Sequence, residues 1–181
     1  MKKFLIIIFA FLFIVFVFKG VFFRLMVKYE PVNERTTYSL KDDNFKNYVD
    51  SISSESEIGI SKVLKISNKI TSQSLKFTKS SSGYNPNDLF YSKSSNCIGY
   101  ATFYASVCNY LLEKNNLSDE WNAKCYVGYI YLFGENVHHY FKSSFFKDHD
   151  FVIVENTKTG EKKLVDPSVY DFLGVKYVKS R

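Results

Sequence analysis

The sequence is poor in cysteine and histidine, and its first 28 residues contain no acid. Three cysteines cannot build a disulfide framework, and the gaps of eleven and seventeen residues between Cys97, Cys108 and Cys125 match no paired metal-ligand motif. If the domain is exported, Cys108 and Cys125 can pair and leave Cys97 free; two buried thiols acting as small hydrophobes is the other reading. His138 and His139 are adjacent and would point to opposite faces of a strand, so with His149 they give no regular zinc spacing. No metal and no other cofactor is expected. The missing acid matters for charge. The chain has 24 basic and 18 acidic residues; five of the basic ones lie in residues 1–28, and the rest stands at 19 against 18. The basic surplus therefore belongs to the N-terminus, and no nucleic-acid-binding face is indicated. No internal repeat is present.

No Ala-x-Ala-like cleavage site follows the apolar run that opens the chain. Met1-Lys2-Lys3 precedes fifteen uninterrupted apolar residues, Phe4 to Phe18, and after Lys19-Gly20 the apolar character continues to Val27. Fifteen residues suit a signal-peptide core and fall short of the ~20 that span a bilayer. With Lys19 and Arg24 snorkelling, a helix from Phe4 to Met26 is long enough to span. The expectation is an N-terminal transmembrane helix, an uncleaved signal anchor over residues 1–28, with a cleaved signal peptide and a buried core helix as alternatives. The export pattern of Lys2 and Lys3 puts the rest of the chain outside the cytoplasm, against the opposing weight of Lys19, Arg24 and Lys28.

About 150 residues remain, one domain able to bury its own core. Residues 29–57 read as linker and helical lead-in. Glu30 to Leu40 is polar, Phe45, Tyr48, Val49 and Ile52 have helical spacing, and Ser51, Ser53 and Ser54 mark a break. Residues 58–181 form the principal domain. Its parts are a helix over 58–74, a loop at Ser80-Ser81-Ser82-Gly83, a helix start at Asn85-Pro86-Asn87-Asp88, and a helix opened by Cys97. In that helix Cys97, Ala101, Ala105, Cys108 and Leu112 make a core-facing stripe. Cys125 to Phe133 reads as a strand. A helical half followed by a strand half makes α+β, with a small antiparallel sheet packed on the Cys97 helix.

The chemistry lies in Cys97, His149 and Asp166. A thiol at a helix start is favoured as thiolate by the unpaired N–H groups there. A histidine can take its proton, and an aspartate can hold the imidazole in the useful tautomer. His149 to Glu155 reads as a strand, Asn156 to Gly160 as a turn, and Lys163 to Asp166 as the returning strand. If the turn centres on Lys158-Thr159, opposed residues sum to 317, so Asp166 faces Phe151 and becomes a diagonal neighbour of His149 on one face. A one-residue slip would separate them. His138 and His139 are rival bases with no following strand to bring an acid to them. Asp166 before Pro167 also reads as a strand terminator. For an oxyanion hole the backbone N–H of Cys97 is the first donor, with Tyr91 or Asn96 as the second.

Cys97-Ile98-Gly99-Tyr100-Ala101, His149 at a strand start and Asp166-Pro167 at the end of the next strand resemble, in order and spacing, the elements of the transglutaminase-like superfamily of thiol enzymes. The resemblance covers roughly residues 60 to 172, with Ser95 where Gly is common and Asp150-Phe151 where a small residue and Trp are usual. It implies a papain-like arrangement, with the helix bearing an N-terminal Cys in the centre against the sheet. It implies acyl transfer on protein or peptide amides through a Cys97 thioester, ending in hydrolysis or in cross-linking to lysine. With no separate acceptor-binding module in the sequence, hydrolysis is expected. The alternative is a non-catalytic domain of the same fold that assembles partners at a membrane.

Overall fold

The computed structural model describes residues 2–53, 58–80 and 83–181; the predicted breaks at Ser54 and at Ser81-Ser82 lie outside them. In chain order the elements are α1 (Lys2–Val17), α2 (Lys19–Met26), β1 (Val27–Glu34), α3 (Asp43–Ile52), α4 (Ile60–Ser74), β2 (Lys76–Phe77), α5 (Pro86–Ser92), β3 (Ser94–Ser95) and α6 (Cys97–Lys114). There follow β4 (Trp121–Leu132), β5 (Glu135–Asn136), two short 3₁₀ turns at Val137–Tyr140 and Ser144–Phe146, β6 (His149–Asn156), β7 (Lys162–Val165) and α7 (Pro167–Leu173).

The α+β class stands, and the N-terminal transmembrane helix does not. Among the described residues no helix is long and apolar enough to cross a membrane. The anticipated span from Phe4 to Met26 is two helices, α1 ending at Val17 and α2 starting at Lys19, that break at Phe18. The sixteen residues of α1 rise about 24 Å, short of the ~30 Å hydrocarbon layer.

The segment read as linker is also different. Val27, Lys28, Tyr29 and Glu30 alternate between buried and half-buried positions, and β1 pairs antiparallel with β4 from Val27↔Leu132 to Glu34↔Tyr126. The main sheet runs β1-β4-β6-β7, with β5 on β4, and its paired strands are antiparallel. Helix α3 contributes Phe45 and Val49 to the main core. A boundary at residue 58 therefore cuts through one packed unit.

Helix α6 is buried nearly all round because α4 covers one side and the sheet the other. Alternation along β6 divides two cores. Val152 and Val154 join Ala123, Cys125 and Val165 beneath α6, while Phe151 and Ile153 join Val27, Tyr29, Leu164 and Val178 on the opposite side. The β6–β7 hairpin takes the register expected, Val152↔Val165 through Glu155↔Lys162.

Candidate active site

Cys97 is the first residue of α6, and the sequence fixes that start. Asn96 is extended and its Oδ1 accepts from the N–H groups of Ile98 (3.1 Å) and Gly99 (3.5 Å), an N-cap. Gly99 is required by packing: a Cβ there would lie 1.9 Å from Ser95 Oγ and 2.5 Å from Ser95 Cβ. The thiol of Cys97 is buried, 7% exposed, on the wall of a cavity of about 310 Å³.

His149, the first residue of β6, opens onto the same cavity. Its Nε2 lies 2.7 Å from Asp166 Oδ2. The carboxylate makes Nε2 the protonated nitrogen, and Nδ1 is the one left for the thiol. Burial disfavours the imidazolium, but the charge and hydrogen bond of Asp166, with a smaller contribution from hydrogen bonding and charge at Cys97, raise the His149 pKa well above its ordinary 6.5. Asp166 mirrors this. Burial works to raise its carboxyl pKa, yet His149 and the N–H and O–H donors around it hold it below 3.8.

Asp166 is fully buried and does more than end a strand. It caps α7: Oδ1 accepts from Ser168 N (3.1 Å), Val169 N (3.0 Å) and Ser168 Oγ (2.7 Å), with Pro167 at the first helical position. Its other oxygen, Oδ2, accepts from both His149 and the Tyr29 hydroxyl, the latter at 2.7 Å. Tyr29 is itself fully buried, edge-on to Phe151 (5.2 Å) and His149 (6.1 Å). Burial and then the neighbouring Asp166 charge raise its phenol pKa well above 10.0, so it stays a donor.

Sequence reasoning missed Tyr29 and Arg35, both from the supposed linker. Arg35 grips Asp150 with two prongs, Nε–Oδ1 at 2.7 Å and Nη2–Oδ2 at 3.2 Å. Asp150 is 1% exposed; burial pushes its carboxyl pKa up, and the guanidinium supplies the countercharge that such a site demands. This clamp fixes the residue next to His149. The signal for Tyr29 is the period-two pattern Val27-Lys28-Tyr29-Glu30; Arg35 has no local signal.

Of the rival residues, His138 lines the same cavity with its ring already committed. The N–H of Ile130 donates to His138 Nε2 (3.0 Å), so Nδ1 carries the hydrogen that meets Phe146 O (2.7 Å). Both nitrogens are occupied, and burial lowers the pKa. His138 therefore ties the 137–147 segment to β4. His139 is exposed and does not line the cavity. Tyr91 is not an oxyanion donor: it is 57% exposed, absent from the cavity wall, and its hydroxyl donates to Asp42 (2.9 Å). The Asn96 side chain is the α6 cap. Cys108 and Cys125 are free and buried, with burial pushing each thiol up to about 12. Among the described residues no group of three or more His, Cys, Asp or Glu side chains could hold a metal ion.

The chain matches no family model, no curated protein and no solved structure.

Proposed function

We propose that this chain is a thiol enzyme, similar in type to the transglutaminase-like superfamily, that transfers the acyl group of a peptide or protein amide through a thioester on Cys97. The observation that carries the reading is His149, which shares a cavity with Cys97 while its Nε2 is held 2.7 Å from the buried carboxylate of Asp166.

In the proposed cycle His149 Nδ1 takes the thiol proton and the Cys97 sulfur attacks the amide carbonyl carbon. The oxygen becomes an oxyanion beside the Cys97 N–H at the start of α6. As the tetrahedral intermediate collapses, the imidazolium gives its proton to the nitrogen, the C–N bond breaks, the amine departs and the thioester remains. Asp166 stabilises the imidazolium and keeps its proton off. His149 then takes a proton from water as hydroxide adds to the thioester; the tetrahedral adduct collapses, the C–S bond breaks, the imidazolium returns its proton to the Cys97 sulfur and the acid leaves. Water is the favoured acceptor because a lysine ammonium would have to shed its hydration among apolar walls.

The test is the alkylation rate of each cysteine by iodoacetamide across pH, read by mass spectrometry. Cys97 is expected to react near neutral pH while Cys108 and Cys125, buried and with thiols near 12, stay unlabelled. Cys97→Ala should lose that label and all amide turnover. A Cys97 as inert as the other two would instead mark a non-catalytic domain.

A further inference from the structure

The cavity that holds Cys97 and His149 has walls for which the acyl-transfer steps have no use. Phe77, Phe141, Phe145, Phe146, Phe172 and Leu173 line it, brought from β2, the 137–147 segment and α7. Phe77 is the hub, edge-on to Phe145 at 6.3 Å and to Phe172 at 5.7 Å, and tilted against Tyr100 of α6 at 5.9 Å. Rings so arranged present faces and edges to which another ring adds favourably. Phe172 remains 70% exposed and Phe141 43%, apolar area that a bound apolar group would remove from water.

Apart from the reacting pair, Cys97 Sγ and His149 Nδ1, the buried polar side-chain atoms of the chamber are already engaged. Both nitrogens of His138 are bonded, Ser168 Oγ donates to Asp166, and His149 Nε2 does the same. The charged lining residues, Lys79 and Asp148, are solvent-exposed, and the Lys79 ammonium lies 5.4 Å over the Phe146 ring. A carboxamide entering the chamber would give up water for no partner; a hydrocarbon side chain would not. A volume of about 310 Å³ is at the small end for ligand pockets, in keeping with a single side chain such as a benzyl or indole group.

Resting on the thiol acyl-transfer reading, we infer that the acyl donor is a peptide residue with a large apolar side chain, aromatic for preference, on the residue whose carbonyl Cys97 attacks. The thiol is part of the chamber wall, so a side chain that fills the chamber lies beside the carbonyl that Cys97 attacks.

Peptidyl acyloxymethyl ketones with Phe, Leu, Ala or Gln next to the reactive ketone, together with an octanoyl analogue, test this on the full chain. The rate of Cys97 modification is followed by mass spectrometry, with iodoacetamide in parallel. The phenylalanyl reagent is expected to outpace the alanyl one by roughly 10- to 100-fold, with Leu between them and Gln no faster than Ala. Phe172→Ala, which truncates an exposed ring, should bring the phenylalanyl rate down toward the alanyl rate. Equal rates for Phe and Ala, with iodoacetamide still labelling Cys97, would overturn the substrate assignment and leave the thiol mechanism standing. A faster octanoyl reagent would overturn it in favour of an acyl lipid. A Cys97 unreactive to every reagent would remove both readings.

Discussion

Asp166 divides its work between its two oxygens, one for the helix and one for the imidazole. Asn at this position keeps the shape and can still cap α7 through its carbonyl oxygen, but it removes the charge that supports the imidazolium. Asp166→Asn should therefore fold, as circular dichroism can verify, and lose turnover by roughly 10³–10⁴-fold. The pair also links stability to pH. The His149 pKa is raised in the folded state, so its contribution is complete below 6.5 and fades as pH climbs through the folded value. The Asp166 pKa is depressed, so its contribution is present above 3.8 and is lost as pH falls through the folded value. The difference in Tm between wild type and Asp166→Asn should thus be widest between those two pH values and shrink on either side. A gap independent of pH would show that the two groups do not titrate as an ion pair. Tyr29→Phe isolates the other donor to Oδ2. The ring packing stays, one hydrogen bond to a buried carboxylate goes, and urea denaturation should show a loss of about 1–3 kcal/mol with an unchanged m-value.

Among the elements, local signals were legible and distant pairings were not. The β6–β7 hairpin could be read to the residue because a period-two run, a turn and a second run lie within eighteen residues, and Val152↔Val165 falls where counting places it. The Asn96 cap and the buried face of α6 follow from equally local patterns. Strand β1 was hidden because its partner β4 lies almost a hundred residues away and Pro31 and the polar run after it resemble a linker. The 3₁₀ turn at Val137–Tyr140 opens on a local signal, Asn136 Oδ1 accepting from His138 N, but the ring partners of His138, Ile130 N and Phe146 O, follow from no local pattern. Ser95 packs against Gly99, the third residue of α6. The absent Cβ of Gly99 leaves the space that the Ser95 side chain fills. Gly99→Ala should cost about 1–3 kcal/mol by overpacking and lower Cys97 alkylation by displacing the helix start. Adding Ser95→Gly removes the two nearest clashing atoms, leaving only the Leu89 methyl at 3.0 Å to give way, and should recover most of each loss. A double-mutant cycle with no coupling between the two sites would refute this packing account.

Over the whole molecule, residues 179–181 meet β1 behind the site. The N–H of Tyr29 donates to Lys179 O at 2.8 Å and that of Arg181 to Tyr29 O at 2.9 Å, so the C-terminal residues flank β1 on the side away from β4. Arg181 adds an ion pair to Glu30 and lies 4.1 Å over the Tyr131 ring. From this position β1 sends Tyr29 to Asp166, and the chain just beyond it sends Arg35 to Asp150. Among the described side chains of α1, Phe4, Phe9, Phe13 and Phe16 are each about two-thirds exposed or more. Two shortened chains should therefore behave oppositely. One beginning at Lys19 keeps β1 and should match the full chain in urea midpoint and in Cys97 alkylation. One beginning at Thr36 strands a buried carboxylate at Asp150, takes a donor from Asp166 and opens the core around Phe151 and Ile153. Breaking one buried ion pair alone costs about 3–5 kcal/mol, against a total stability of roughly 5–15 kcal/mol for a domain. The Thr36 chain should accordingly lose its cooperative transition and its selective alkylation at Cys97. Cooperative unfolding of that chain at the full-length midpoint would show that residues 27–35 lie outside the folding unit and that the site stands without Tyr29 and Arg35.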